Sequence, residues 1–137
     1  MEKIYSKVSP GVLLHIVSRK EEINTSRTDI SPEDEYLQLS SFILEKGKTF
    51  RPHKHIIFEK TTDIAQESWV VLDGSVRVIF YDLNDEIIAE RDLNQGDVSL
   101  TFRGGHNYLI LSDTATIYEF KTGPYLGQEY DKVFIDE

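Results

Sequence analysis

Apolar and polar residues alternate along most of this chain with a period of two, which is typical of β-strands half-buried on one face. Helical periodicity is weak, and at most one short helix is expected, in residues 31–35 or 58–64. The pattern therefore predicts an all-β chain. The predicted strands are residues 12–17, 36–45, 69–72, 76–81, 86–92, 98–102, 107–111 and 114–121.

Short turn sequences rich in Gly, Asn and Asp separate these strands. Asp73-Gly74 is typical of a β-hairpin, so residues 76–81 are expected to return beside the preceding strand. Strands repeating every 8–12 residues or so, divided by such turns, predict a β-sandwich or barrel. The other turns are Lys46-Gly47, Asn84-Asp85 and Asn94-Gln95-Gly96.

The length of 137 residues is that of one domain, and no repeat or long linker divides it. Residues 1–35 are expected to hold an N-terminal strand and a connecting loop. Residues 36–121 are expected to form the barrel core. Residues 122–137 are expected to form an extended C-terminal tail.

Composition excludes several functions. The chain has no cysteine, which rules out disulfides, thiolate metal sites and a cysteine nucleophile. Its formal net charge of −9, without a basic stripe, argues against binding to nucleic acid or to an anionic membrane. Without a signal-like N-terminus or an apolar run near the roughly 20 residues needed to span a bilayer, we expect a cytoplasmic protein.

Two histidines lie one residue apart in His53-Lys54-His55. On a β-strand, residues i and i+2 project from one face, about 6.6 Å apart, so two imidazoles could converge on one metal ion. The alternative is a pair of solvent-facing histidines flanking a lysine. The pair alone does not decide between these interpretations.

The spacing around this pair resembles the first motif of the cupin superfamily. Five residues separate Gly47 from His53, and six residues separate Glu67 from Gly74. The family motif likewise runs from a glycine through His-x-His to a glutamate and a second glycine. Residues 67–78 are similar to the strand, turn and strand that follow the family's glutamate.

The second cupin motif is partly present. Gly96-Asp97-Val98 resembles its opening, and His106 resembles its histidine. The resemblance covers about residues 37–120 and implies a small single-domain jelly-roll β-barrel, a double-stranded β-helix. It also implies one divalent ion, Mn, Fe, Co, Ni or Zn, since imidazole and carboxylate suit all of these. The implied metal ligands are His53, His55, Glu67 and His106.

The chain departs from the family pattern in three places. Residues 56–66 form an insert before Glu67, expected at the barrel mouth as a loop or lid, and Gln66 is a rival for the inward position. Phe102 stands where the family has a proline. His106 lies one residue early, so a strict count points to Asn107, unless Gly104-Gly105 absorbs a deletion. We favour His106.

Five further residues are candidates for substrate binding. Arg51, Lys54 and Arg103 are positioned to meet an anionic group such as a phosphate or carboxylate. Trp69 shares its facing with Glu67, and Tyr108 shares its facing with His106, so both aromatics could line the cavity. The alternatives are solvated charges for the first three and core packing for the aromatics.

Two polar residues lie in apolar strands. Glu119 either faces solvent or accepts a hydrogen bond from a metal-binding histidine and so orients its ring. His15 is expected to be a structural histidine with its hydrogen bonds satisfied.

Three functions are compatible with these residues. The first is a metal-dependent enzyme, an isomerase, epimerase or oxygenase, acting on a small polar or anionic molecule such as a sugar derivative. The second is a metal-free nucleotide-sugar ketoisomerase or epimerase in which His53 or His106 carries the proton. The third is a non-catalytic protein that binds a small ligand. The resemblance also implies a homodimer, paired through residues 13–17.

Overall fold

The computed structural model describes residues 1–136, and within them it is nearly all β-structure. A short 3₁₀-helix spans Lys20–Glu22, and the helix α1 spans Gln128–Asp131. No helix in this part of the chain has the length and apolar character needed to cross a membrane. The strands are β1 Glu2–Tyr5, β2 Leu13–Ser18, β3 Arg27–Asp29, β4 Ser40–Phe42, β5 Glu67–Asp73, β6 Val76–Tyr81, β7 Ile87–Leu93, β8 Val98–Thr101, β9 Gly105–Ile110 and β10 Thr116–Lys121.

These strands form three antiparallel sheets. The largest has the order β1-β2-β8-β5-β10, the second has the order β7-β6-β9, and β3 pairs with β4. The prediction of an all-β chain is confirmed.

The strand β2 pairs on both sides and is largely buried within its own chain, so residues 13–17 offer no free edge to a second subunit.

The main core lies between the two larger sheets. Val17 and Val71 of the five-stranded sheet meet Val78, Phe80 and Leu93 of the three-stranded sheet, and all five side chains are almost completely buried. On β6 the fully buried positions alternate with half-buried ones, so one face of the strand lies in this interior. On β2 nearly every residue is buried, because the five-stranded sheet is covered on both faces.

A second apolar cluster covers the opposite face of the five-stranded sheet. Ile16 of β2 and Leu100 of β8 are paired neighbours there, and Phe102 packs beside them. Residues 30–39, between β3 and β4, provide the cover. Phe102, which replaces the family's proline, is therefore a core residue of this outer layer.

The predicted hairpin at Asp73-Gly74 is wrong. The strand β5 belongs to the five-stranded sheet and β6 to the three-stranded sheet, so the chain crosses between sheets at this turn. Gly74 has φ 82°, and a Cβ there would lie 2.5 Å from the Thr114 carbonyl oxygen. The turn sequence correctly marks a sharp bend, but it does not determine which strand becomes the neighbour.

The predicted strand over residues 36–45 is reduced to β4, and β1 and β3 were not predicted. Gln38 explains the shortening, because its side-chain amide donates to the carbonyl oxygens of Pro32 and Glu35 and holds this stretch in a compact loop. Neither residues 31–35 nor 58–64 form the short helix that was expected.

One long segment lies outside the sheets. Residues 42–65 are all solvent-exposed, and no strand occurs between β4 and β5. We call residues 46–65 the arm. His53 and His55 lie on it, so the assumption that they share one face of a strand is not met in this structure.

The two larger sheets are bridged on one side and open on the other. Arg91 of β7 donates to both carboxylate oxygens of Glu2 of β1, at 2.6 to 3.2 Å. On the opposite side, β9 and β10 are the terminal strands of their sheets. This open side is where the candidate site lies.

Candidate functional site

A cavity of about 580 Å³ lies on the open side of the sandwich. Strands β5, β8, β9 and β10 contribute to its wall, together with residues 131–135 of the C-terminal tail. Its polar lining includes Glu67, His106, Tyr108, Glu119 and Lys132.

The register of β9 against β6 determines which β9 side chains face the cavity, and His106 is one of them. On β9, His106 lies opposite Phe80 and Tyr108 lies opposite Val78, and both of these β6 partners are completely buried. Paired residues share a face, so His106 and Tyr108 point inward while Asn107 between them is exposed. His106 rather than Asn107 therefore occupies the interior position.

The same alternation distinguishes Glu67 from its neighbour Gln66. The Gln66 side chain is buried on the outer side of the sheet, where it accepts a hydrogen bond from the Leu37 N–H at 2.8 Å. Its amide group also donates to Glu35 at 2.6 Å. Glu67 is thus the carboxylate that reaches the cavity.

Glu67 and His106 form a hydrogen-bonded pair, with His106 Nε2 at 3.1 Å from Glu67 Oε1. Burial raises the pKa of Glu67, but the hydrogen bond from His106 and the charges of His106, Lys132 and Lys121 outweigh burial, so the pKa lies below its ordinary value. An ionised Glu67 can only accept, so Nε2 carries a proton, and in the neutral form of the imidazole Nδ1 holds the lone pair. Nδ1 is buried without a hydrogen-bond partner among the described residues.

Two aromatic rings form a flat wall beside this pair. Trp69 stacks on Tyr108 with ring centroids 3.7 Å apart and planes within 1° of parallel. The Trp69 indole N–H donates to Glu119 at 3.1 Å, and the Tyr108 hydroxyl pairs with Ser99 at 3.0 Å. Burial raises the pKa of Tyr108, so it stays a neutral phenol.

Two lysines that sequence reasoning missed lie near the cavity. Lys121 is the β10 partner of Glu67 and lies 3.5 Å from Asp131. Lys132 lies 3.8 Å from the same carboxylate. The alternation that places Glu119 on the inner face would have identified Lys121, whereas Lys132 belongs to a tail without a repeating pattern.

Arg103 lines the cavity, but its guanidinium is already occupied. Its Nη1 lies 2.6 Å from Glu35, whose other carboxylate oxygen accepts the hydrogen bond from Gln66. Arg103 therefore ties the outer loop to the rim of the cavity. An anionic ligand would have to compete with Glu35 for it.

His15 lies behind the site and has the structural role expected from the sequence. Its Nδ1 is 3.0 Å from the Thr101 hydroxyl and its Nε2 is 3.2 Å from the Tyr81 carbonyl oxygen. Burial lowers the pKa of His15 to about 4, despite the opposing hydrogen bond to Tyr81. It is a neutral core histidine at physiological pH.

The arm carries the remaining candidates away from this cavity. The His53 and His55 rings are 5.5 Å apart, and His53 Nδ1 lies 3.1 Å from the carbonyl oxygen of Arg51. Arg51, Lys54 and both histidines are solvent-exposed. The arm therefore brings none of these four residues to the cavity in the isolated chain.

Of the four expected metal ligands, only Glu67 and His106 lie close together in this structure. Two ligands at about 2.1 Å from one ion, at a right angle, would lie about 3.0 Å apart, which the Glu67–His106 separation of 3.1 Å matches. Across residues 1–136, however, no group of three or more His, Cys, Asp or Glu side chains could hold a metal ion. Within one chain, the described residues therefore bring together only Glu67 and His106 of the four expected ligands.

Comparisons of the chain with protein-family models, with curated proteins and with solved structures find no match. The function is therefore argued from the cavity and its side chains.

Proposed function

We propose that this chain is a small jelly-roll protein of the cupin kind that transfers protons on a sugar derivative without a metal ion. His106 acts as the acid and base, and Glu67 orients it. The alternation of the chain between the two larger sheets at β5–β6 and β7–β8 supports the fold assignment. The Glu67–His106 hydrogen bond at the cavity wall is the observation that carries the functional proposal.

The position of the proton on the His106 ring determines which nitrogen can act as a base. With its proton on Nε2, His106 offers the lone pair of Nδ1 as a base for a C–H next to a carbonyl group. The resulting imidazolium is stabilised by the Glu67 carboxylate and returns the proton to the adjacent carbon of the enediolate. The hydroxyl proton of the enediolate passes through solvent to the former carbonyl oxygen, so the carbonyl group moves by one carbon and the sugar is isomerised. Because Nδ1 is shielded in the free protein, substrate entry has to uncover it.

Other side chains of the cavity suit a sugar derivative. The stacked Trp69–Tyr108 pair offers a flat apolar wall against which a sugar ring can lie. The neutral Tyr108 phenol can donate a hydrogen bond. Lys121 and Lys132 can attract a phosphate or carboxylate, since their distances to carboxylate oxygens, 3.5 to 3.8 Å from Asp131 and 3.8 Å from Glu119 to Lys121, are longer than a close ion pair.

The test is exchange of substrate hydrogen with solvent. Nucleotide-linked keto sugars in deuterated water are followed by NMR, and deuterium is expected to enter next to the carbonyl. His106→Asn should slow this exchange about 10²–10⁴-fold, as expected for loss of a general base. Glu67→Gln should also slow it, whereas Glu90→Gln, on the exposed face of β7, should not.

Retention of exchange in His106→Asn would contradict the proposal. Tight binding of a sugar nucleotide without any exchange would instead favour the non-catalytic alternative.

A metal-dependent enzyme is the second candidate, favoured by the Glu67–His106 separation that suits two ligands of one ion. Elemental analysis of protein purified without a chelating tag separates the candidates. One ion per chain, lost in both His53→Ala and His55→Ala, would favour the metal. Protein that binds no added divalent ion yet catalyses exchange would favour the metal-free reaction.

A further inference from the structure

The arm has the composition of a β-strand but no partner. Ile56, Ile57 and Phe58 are 86%, 105% and 73% exposed, and Phe50 is also exposed. Ile and Phe are strand-forming residues, and three in succession are rarely left in water. No residue among 1–136 covers them.

Charge also sets the arm apart from the body. The arm has five Lys or Arg and two Asp or Glu, a formal +3, which leaves −12 for the rest of a chain whose total is −9. A basic, apolar segment is thus joined to an acidic body. Opposite charges favour docking of the arm on a body of this sequence.

The body has an unpaired strand edge at β9. The Leu111 N–H bonds to the Ser75 carbonyl oxygen on the β6 side, so by alternation the N–H groups of Tyr108 and Ile110 point to the open side. The Tyr108 N–H is taken up only by the side-chain amide oxygen of its neighbour Asn107, at 2.8 Å. Leu109 and Ile110 leave apolar surface exposed along this edge.

We propose that residues 48–58 of the arm add as a strand to the β9 edge of a second copy of this chain. Each copy supplies one arm and one edge, so reciprocal exchange gives a closed two-fold dimer. The isolated chain argues for a second copy, because the arm stays uncovered on its own body. Only the end of the arm, Ile64 and Ala65, lies at the cavity of its own chain, whereas residues 48–58 are exposed over their whole length.

The exchange changes what surrounds the cavity. On an added strand, His53 and His55 share one face and Ile56 lies on the other. With the histidines turned toward His106, Ile56 falls on the outer face that carries Leu109. The partner copy would then contribute two imidazoles next to Glu67. The dimer itself stands on the arm and the edge, and does not rest on the proposed proton transfer.

Cysteine trapping tests the pairing, since the chain has no cysteine of its own. Ile56→Cys chains are mixed with isotopically labelled Leu109→Cys chains and oxidised, and the disulfide products are weighed by mass spectrometry. We expect a mixed-isotope dimer joined through residues 56 and 109. The matched control replaces Leu109→Cys by Ile87→Cys on the other edge of the same sheet, because the two positions are 53% and 55% exposed.

The double variant Ile56→Cys/Leu109→Cys shows which body receives the arm. A disulfide formed within single chains would overturn exchange in favour of the arm's own β9. Equal yields from Leu109→Cys and Ile87→Cys would also overturn the proposal, as random collision would explain them.

Light scattering provides a measurement that does not depend on register. The wild-type chain is expected to be dimeric at micromolar concentration, and replacing Ile56, Ile57 and Phe58 by Ser should weaken the dimer about a hundredfold or more. Trypsin cleavage within the arm should slow as wild-type concentration rises. A chain that stays monomeric, or a dimer unaffected by the triple replacement, would overturn the proposal.

Discussion

Strand β6 and the arm contain similar residues but lie in opposite environments. Val76, Val78 and Phe80 of β6 are completely buried, whereas Ile57 and Phe58 of the arm are exposed. The difference is one of partners, because β6 lies between β7 and β9 while the arm pairs with none of the strands described in residues 1–136. Strand-forming residues therefore become a strand only where an edge is available to them.

The largest contrast is expected between two phenylalanines. Phe80→Ala should lower the free energy of unfolding by about 3–5 kcal/mol, because it leaves a cavity in the core. Phe58→Ala should change it by no more than about 0.5 kcal/mol in dilute, monomeric protein. Urea denaturation of both variants measures the two values. Equal losses would mean that the arm packs on its own body.

The buried His15 makes the body sensitive to acid. Its pKa of about 4 lies below the ordinary 6.5, so between these values the unfolded chain takes up a proton that the folded protein does not. This contribution to stability is complete above pH 6.5 and is lost as the pH falls toward 4, by about 3 kcal/mol in total. Denaturation curves of His15→Gln should lack this part of the wild-type pH dependence. A wild-type-like slope in the variant would contradict the assignment.

The turn before β8 should contribute measurably to the stability of the body. The Asp97 carboxylate accepts hydrogen bonds from the N–H groups of Lys20 and Asn94, at 3.0 and 2.9 Å, and pairs with Arg19 at 3.1 Å. Asp97→Ala should therefore cost about 1–3 kcal/mol, since it removes two partly buried hydrogen bonds and one ion pair from a buried carboxylate. Thermal unfolding, with the exposed Asp113→Ala as control, measures the difference. A cost equal to that of the control would show that these bonds add nothing.

The smallest effect is expected at Lys54 of the arm. Lys54→Ala should leave the free energy of unfolding within about 0.5 kcal/mol of wild type. It should also abolish the trypsin cut after residue 54. This cut is expected early because the exposed arm is accessible to the protease, whereas Arg77 and Arg91 lie within paired strands. Mass spectrometry of early fragments identifies the order of cleavage. Cuts in β6 or β7 before those in the arm would reverse the comparison.

Sequence alone predicted the body best where alternation and burial agree. The strand β6 has the predicted bounds, because its alternating residues pack on one core. The turn at Gly74 was located correctly, but its strand partners were not. A turn sequence specifies a local bend, whereas the partner of a strand depends on contacts distant along the chain.

The same distinction applies to the site. The resemblance to the cupin motifs predicted Glu67 and His106 at one site, and strand alternation added Trp69 and Tyr108 to it. The positions of His53 and His55 depend on an edge that their own chain does not supply. Lys132 depends on how the tail packs, for which its sequence carries no periodic signal.

The stack of Trp69 on Tyr108 gives the protein an optical probe of its own. Trp69 is the single tryptophan of the chain, and its indole lines the cavity. All of the intrinsic tryptophan emission therefore originates at this wall. A molecule that enters the cavity, or a partner arm that closes over it, changes the surroundings of that one fluorophore, so occupancy can be followed without any label.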